Sequence, residues 1–398
     1  MFPRLLLRHL VDLAGQYPVV TVTGPRQSGK TTLLRQAFPH KPYVNLENPD
    51  VRAHAVEDPR SFLKRYPDGA ILDEIQRTPE LPSYLQGLVD DQPEPGRFLL
   101  TGSQQFEVMD RISQSLAGRT ALLKLLPLSL PELQAGGLSP GIDQLLLHGG
   151  YPRIHADHLN PTQALGDYFE TYVQRDLRQL MAIKELALFE KFVRLCAGRC
   201  GQLLNLHNLA ADTGVSHSTA RAWMTLLEAS YIVFLLQPHH VNISKRLIKS
   251  PKLYFYDVGL ASFLLGIESE LHLSRHPLRG NLFENLLMME TLKFRFNRGL
   301  RSNLSFYRDA SGLEVDLLLD HGGIFTAVEI KAGATVAVDM MAGLNKLEAL
   351  WPTPLAGKML IHGGDSNFTL NNVWVVALPA LDQALQRDSA RPCLSEKG

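Results

Sequence analysis

The sequence predicts a multidomain α/β protein, and three observations lead there. A phosphate-loop pattern at residues 24–31 lies between a β-branched strand and a helix. Two more apolar strands follow near residues 70 and 98, separated by helical stretches, as a parallel sheet covered on both faces requires. A separate group of strand signals appears beyond residue 300, behind a helical middle.

The loop is Gly24-Pro25-Arg26-Gln27-Ser28-Gly29-Lys30-Thr31, which fits G-x-x-x-x-G-K-[ST] at every fixed position. Val19-Val20-Thr21-Val22 precedes it as a buried strand, and Thr32–Phe38 follows as a helix that ends before Pro39. Residues 4–16 read as an amphipathic helix leading into that strand. Glycines let the backbone turn its amides inward around phosphate oxygens, and the helix N-terminus adds partial positive charge. Lys30 is expected to reach the β/γ-phosphates, with the Thr31 hydroxyl on Mg²⁺ and Thr32 closing the cradle. ATP and Mg²⁺ are therefore the expected cofactors.

Gly69-Ala70-Ile71-Leu72-Asp73-Glu74 is an apolar strand ending in two acids. That arrangement suits Asp73 to the metal and Glu74 to activating a water as general base. A third strand, Arg97–Gln104, ends in small polar residues at the edge where parallel sheets keep their ligand crevice. Ser103 there is expected to sense the γ-phosphate or position water, or else to serve only the turn.

Composition narrows the class. At 398 residues two or three domains are expected, and 40 basic residues balance 40 acidic ones, so any basic surface must be local. No apolar run reaches the roughly 18 residues that a membrane span needs. The N-terminus lacks a signal-peptide pattern. Three cysteines are too few for a disulfide framework, and Cys196-x3-Cys200 has no matching pair for zinc. A cytoplasmic setting is expected.

Several stretches resemble a group of prokaryotic AAA-type ATPases. They are Gly24–Thr32, Asp73-Glu74-Ile75-Gln76, Leu100-Thr101-Gly102-Ser103, Ser115-Leu116-Ala117-Gly118-Arg119, Leu126-Pro127-Leu128-Ser129 and Gly149-Gly150-Tyr151-Pro152-Arg153. The resemblance covers nearly the whole chain in order. It implies an AAA-type core over residues 1–135, a helical lid over 136–187, ATP hydrolysis, and a homo-oligomer or ring. It also implies a role for Arg119 or Arg153 in stabilising charge on the transferring phosphoryl group, the alternative for each being a structural salt bridge.

Residues 161–187 carry a helical pattern, and 188–256 read as a winged-helix module. A short helix at 205–213, the turn Gly214-Val215-Ser216 and a Ser216-capped helix from His217 make a helix-turn-helix layout. The strand 231–236 and the basic stretch 244–252 follow. In a DNA-binding reading His217, Ser218 and Arg221 enter a groove, while Lys245, Arg246, Lys249 and Lys252 contact phosphates. Packing or protein contact is the competing use.

After an expected hinge near Asp257-Val258-Gly259, a helix opens at Gly280, followed by strands at 304–308, 313–319 and 324–331. A helix over 340–350 and a strand over 373–376 complete this domain, 257–388, ahead of a disordered tail at 389–398. Period-two alternation puts Glu314 with Asp316 on one face, and Glu329 with Lys331 on one face of the next strand. The order of a helix acid, an Asp and Glu-x-Lys resembles the PD-(D/E)xK, restriction-endonuclease-like superfamily. That resemblance implies a metal site of Asp316 and Glu329 with Lys331, plus Glu284 or, second, Glu290 from the helix.

These parts lead to an expectation of an ATPase that binds or remodels duplex or branched DNA, with a C-terminal domain that either binds DNA or cuts it with a metal. Three alternatives stay open: a nuclease-like domain that only grips DNA, a regulatory or stress-response ATPase acting on a protein, and a small-molecule kinase.

Overall fold

A computed structural model describes residues 2–103, 115–176, 185–239 and 249–390. Strands β1 (Val19–Thr23), β2 (Tyr43–Asn45), β3 (Ala70–Asp73), β4 (Phe98–Gly102) and β5 (Thr120–Lys124) form an all-parallel sheet. Their order is β2-β3-β4-β1-β5. The strands are apolar throughout because both faces are covered. Val19, Leu72, Phe98 and Leu100 enter one core cluster, and the intervening Val20, Val22, Ile71 and Leu99 enter another. Since β4 lies between β1 and β3, the segments that leave their carboxyl ends emerge side by side.

The middle of the chain is helical, with helices Ile142–His148, Pro152–Ala156, Pro161–Tyr168 and Leu186–Ala197. The expected helix over 161–187 is described to Asp176, its second half as a π-helical stretch from Phe169; 177–184 lie outside the described residues. Helices Leu206–Thr213 and His217–Ala229 meet at Gly214, whose left-handed backbone (φ 91°) suits glycine. The Ser216 side chain accepts from the Thr219 amide and starts the second helix. Strands β6 (Val233–Leu236) and β7 (Lys252–Phe255) pair antiparallel.

The segment expected to be a hinge is a buried joint. Asp257 is 3% exposed; its Oδ2 accepts from the Gly150 amide at 2.7 Å, and its Oδ1 accepts from Leu260 at 3.1 Å, capping the helix Val258–Leu264. Gly149 and Gly259 allow this close approach, because a Cβ on Gly149 would stand 2.1 Å from Asp257 Oδ1. A hydrogen-bonded carboxylate inside a packed contact holds two segments together rather than letting them swing.

The third sheet contains β8 (Leu304–Arg308), β9 (Glu314–Asp320), β10 (Phe325–Lys331), β11 (Gly357–His362), β12 (Phe368–Leu370) and β13 (Val373–Ala377). Its order is β12-β13-β11-β10-β9-β8, with β10, β11 and β13 parallel and the others antiparallel. One face packs Leu317, Leu319, Val328 and Ile330 into the same cluster as Phe283 and Leu286 of the helix Arg279–Phe296. The other face is covered by Leu344 and Leu347 of the helix Ala342–Leu350. The largest apolar cluster runs from Leu126 to Leu385 and includes Phe189, Trp223, Tyr254 and Ile330, so the helical middle and the third sheet share one core. No helix among the described residues is long and apolar enough to cross a membrane.

The joint has a measurable cost. Asp257→Ala strips the helix cap and leaves the Gly150 amide buried without an acceptor, an expected loss of about 1–3 kcal/mol in urea unfolding.

Candidate nucleotide site and the C-terminal acidic cluster

The phosphate loop is built by close backbone approach. A Cβ on Gly24 would meet the Leu125 carbonyl oxygen at 2.1 Å, and Gly29 takes φ 92° immediately before the helix Lys30–Ala37. Gln27 also has a positive φ, 63°. Arg4 braces the loop from outside it, donating to the Ser28 and Leu126 carbonyls at 2.6 Å each and pairing with buried Glu132 at 3.0 Å. The Ser28 hydroxyl is buried without a partner among the described residues, a donor that phosphate oxygen would satisfy. Lys30 is buried, and among the described residues its ammonium donates to backbone, to the carbonyls of Gly24 at 2.9 Å and Pro25 at 2.8 Å. Burial pushes its pKa down to about 8, with Glu74 and Asp73 pulling the other way.

Asp73 gathers three elements. Its carboxylate accepts from Thr31 Oγ1 at 2.9 and 3.0 Å, from the Tyr43 hydroxyl at 2.7 Å, and from Thr101 Oγ1. Thr31 and Asp73 thus bring a hydroxyl and a carboxylate to one spot at the loop, a hard-oxygen donor set that suits Mg²⁺ carried with phosphates. Glu74 turns away from the strand in a left-handed conformation (φ 59°), and its amide donates to Thr101 Oγ1 at 3.0 Å. Its Oε2 accepts from Ser103 Oγ at 2.9 Å and from the Gln76 amide, which also donates to Ser103 Oγ at 3.0 Å. Lys30, Thr31, Asp73, Glu74 and Ser103 are therefore neighbours. Tyr43, Gln76 and Thr101 belong to the same network. Gln76 and Thr101 lie in stretches that carry the resemblance, but the sequence assigns them no site role, and Tyr43 and the loop-bracing Arg4 lie in no motif.

The arginines divide. Pro152 begins the helix that carries Arg153, and its Cγ lies 3.9 Å from where a Gly29 Cβ would stand. Arg153 is exposed beside the loop and pairs with Asp157 at 3.2 Å. Arg119 precedes Thr120, which pairs with Val19 at the amino end of β1, the edge opposite the loop. There its guanidinium meets Asp90 at 2.5 and 2.8 Å. Arg26 contacts Glu47 at 3.0 Å and lies over the Tyr172 ring at 5.7 Å, while Thr32 is exposed.

The C-terminal carboxylates do converge, but around an ammonium. Lys252 of β7 is 2% exposed and stands 3.0 Å from Glu284, 2.6 Å from Glu314 and 3.6 Å from Asp316. Tyr254 donates to Glu284 at 2.5 Å, Lys331 pairs with Glu329 at 2.6 Å, and Asp316 accepts from the Ile330 amide. Burial and Asp316 push Glu284 and Glu329 up to about 7, against the pull of Lys252 and Lys331 respectively. Burial works against the Lys252 charge, but Glu284, Asp316 and Glu314 outweigh it and hold the amine protonated. Among the described residues no group of three or more His, Cys, Asp or Glu is arranged to hold a metal ion. Glu290 stands elsewhere, accepting from the Leu130 amide and pairing with Lys293.

The expected phosphate contact of Lys252 is corrected by this burial, because an ammonium enclosed by three carboxylates presents no charge to a polyanion. His217, Ser218, Arg221 and Lys249 are exposed; Lys245 and Arg246 lie outside the described residues.

Two outcomes follow from these environments. Anionic phosphates should restore the Lys30 proton, so ATP binding near pH 8 should take up about half a proton and near pH 6 almost none, read by calorimetry in buffers of different ionisation enthalpy. Lys252→Met leaves the Glu284 carboxylate without its ammonium, while Glu314 keeps Arg308, an expected loss of about 3–5 kcal/mol in urea unfolding near pH 8. An acid whose folded pKa is raised keeps its contribution at low pH and loses it as pH rises through about 7, so the deficit should shrink near pH 5.

Residues 16–134 match the AAA domain family. Residues 139–271 and 279–381 match two domains of unknown function, DUF8612 and DUF4143. An uncharacterized protein of Mycobacterium bovis is 34% identical over 383 residues, covering 95% of this chain and 83% of its own length. An uncharacterized protein of Mycobacterium tuberculosis matches with the same 34% identity and the same 95% and 83% coverage. Among solved structures, a Walker-type ATPase of Pyrococcus abyssi is 15% identical, with 65% of this chain and 94% of that one covered at a TM-score of 0.41. AMPPCP-bound DnaA from Aquifex aeolicus is 18% identical, with 56% and 86% covered at a TM-score of 0.30. At such scores the assignment rests on the sequence relatives. By its near full-length kinship the chain belongs to one family with these mycobacterial proteins, and its AAA domain makes it an AAA-type ATPase.

Proposed function

We propose that this protein is a Mg²⁺-dependent ATPase that couples turnover to binding or remodelling DNA, and that its C-terminal domain grips DNA without cutting it. The meeting of Lys30, Thr31, Asp73 and Glu74 at the carboxyl edge of the parallel sheet carries the hydrolytic part. Lys30 and the loop amides bind the phosphates, Thr31 and Asp73 hold the metal, and Glu74 takes the proton of the attacking water. Mg²⁺ bound with ATP supplies charge neutralisation at the β- and γ-phosphates. Arg153, exposed beside the loop, is our choice for the arginine that stabilises transferred charge; Arg119, at the opposite edge, would serve only a neighbouring subunit in a ring.

The DNA reading rests on the helix-turn-helix with its exposed His217, Ser218, Arg221 and Lys249, read as a winged helix with β6 and β7. The third sheet, with the helix Arg279–Phe296, is read as nuclease-like but silent, because Lys252 takes the place a metal would need. One observation favours a second reading, a switch acting on a protein: Arg221 is the only Lys or Arg in the helix His217–Ala229. That is little charge for a helix lying on phosphates.

The test is ATP turnover with and without single-stranded, duplex and four-way DNA across a salt series. Stimulation by one DNA form that weakens as salt rises supports the coupling, and indifference to every DNA supports the protein-directed reading. Lys30→Ala should abolish turnover with weakened ATP binding, and Glu74→Gln should bind ATP but hydrolyse it at least about 100-fold more slowly. DNA should stay intact with Mg²⁺ in the wild type.

A further inference from the structure

A carboxylate acting as base must be held at one angle to the attacking water, and a flexible Glu side chain does not hold itself. Two residues along, the chain supplies a support. The left-handed turn at Glu74 ends β3 and starts the 3₁₀ turn Ile75–Arg77, which folds Gln76 back over the Glu74 side chain. The contacts define the hydrogen positions. A carboxylate only accepts, so the Gln76 group facing Glu74 Oε2 is its NH₂. The single Ser103 hydroxyl proton goes to the same Oε2, leaving its oxygen to accept the other Gln76 proton. A closed ring of three side chains results, and it leaves Gln76 Oε1 buried with no partner among the described residues. An acceptor in that state, on the side chain bonded to Glu74, calls for a donor that the described protein groups do not supply.

We infer that Gln76 is a positioning residue for hydrolysis, holding Glu74 through its NH₂ and orienting the attacking water through Oε1; the inference rests on the hydrolytic reading above. One water proton is donated to Gln76 Oε1 and the other faces Glu74. The water oxygen bonds to the γ-phosphorus as the bond from that phosphorus to the β–γ bridging oxygen breaks. ADP leaves with that electron pair, and the proton facing Glu74 passes to its carboxylate. Ser103 has the companion task of keeping the Gln76 amide and the Glu74 carboxylate in register.

The experiment compares single-turnover hydrolysis of labelled ATP by wild type, Gln76→Ala, Gln76→Glu, Glu74→Gln and the Glu74→Gln/Gln76→Ala double variant, alongside nucleotide affinity and thermal unfolding. Gln76→Ala should slow hydrolysis about 10- to 100-fold, with nucleotide affinity within about twofold of wild type, because the group acts in the transition state rather than in binding. Gln76→Glu keeps the shape but sets two carboxylates together, and should be at least as slow. In the Glu74→Gln background the further loss of Gln76 should cost clearly less than in wild type, since the part of its effect that runs through Glu74 is already gone. Wild-type rates in Gln76→Ala, or the same fractional loss in both backgrounds, would overturn the inference while leaving the hydrolytic reading intact. Absence of turnover in the wild type would overturn that reading and the inference with it.

Discussion

The carboxylate of Asp73 is the interaction on which the nucleotide site depends. It accepts from Thr31 at the start of the loop helix, from Tyr43 on β2 and from Thr101 on β4. A buried charge is tolerated only when its lone pairs are met, and here donors from three other elements meet them. The bonds therefore hold the register of the sheet's carboxyl edge as well as the Asp73 side chain. Thr101 has a second task, accepting from the Glu74 amide, and so the Glu74 backbone is set by the same hydroxyl that satisfies its neighbour. The strand order makes this feasible, because only with β4 between β1 and β3 do these residues face one another.

The C-terminal cluster inverts that logic. At Asp73 a carboxylate is ringed by neutral hydroxyl donors; at Lys252 the carboxylates meet a cation that is part of the chain. Taking an ammonium and several carboxylates out of water is expensive, and the mutual attraction offsets it only with close contacts such as the 2.6 Å approach to Glu314. What the arrangement secures is attachment of β7 to the helix Arg279–Phe296 and to β9, so the helix-turn-helix segment and the third sheet are joined by charge as well as by their common core. The other end of this region reaches the nucleotide site. The Tyr231 hydroxyl lies 2.9 Å from Thr23 Oγ1, at the last residue of β1, and its ring packs on Tyr256 at 5.2 Å. Thr23, Tyr231 and Tyr256 thus connect the strand before the phosphate loop to the residue that follows β7.

Features carried by adjacent residues were legible in the sequence. The phosphate loop, the apolar strands before Asp73 and Ser103 and the Ser216 cap each depend on a short window whose physics is local. The period-two pairing of Glu329 with Lys331 is of the same kind. Short or weakly patterned strands were not legible: β2 has three residues, and β5 alternates between buried and part-exposed positions. Nor was the contact of Gln76 with Glu74, which requires the left-handed turn between strand and 3₁₀ helix.

By itself, then, the sequence determined a phosphate-binding strand-loop-helix, the acids of its partner strand, and a set of acids ready to share a sheet face, because chain direction and side-chain period act over a few residues. Which groups meet across the fold was decided only by tertiary structure. Lys252 stands near basic residues in the chain, Lys249 among them, and reads as one of a surface group; pairing of β7 with β6 and packing against Glu284 turn it inward. Arg119 reads as a site arginine until the parallel register of β5 on β1 puts it at the far edge of the sheet, against Asp90. In both cases the charge was visible in the chain, while its partner was set by strand order and burial, which no window of a few residues contains.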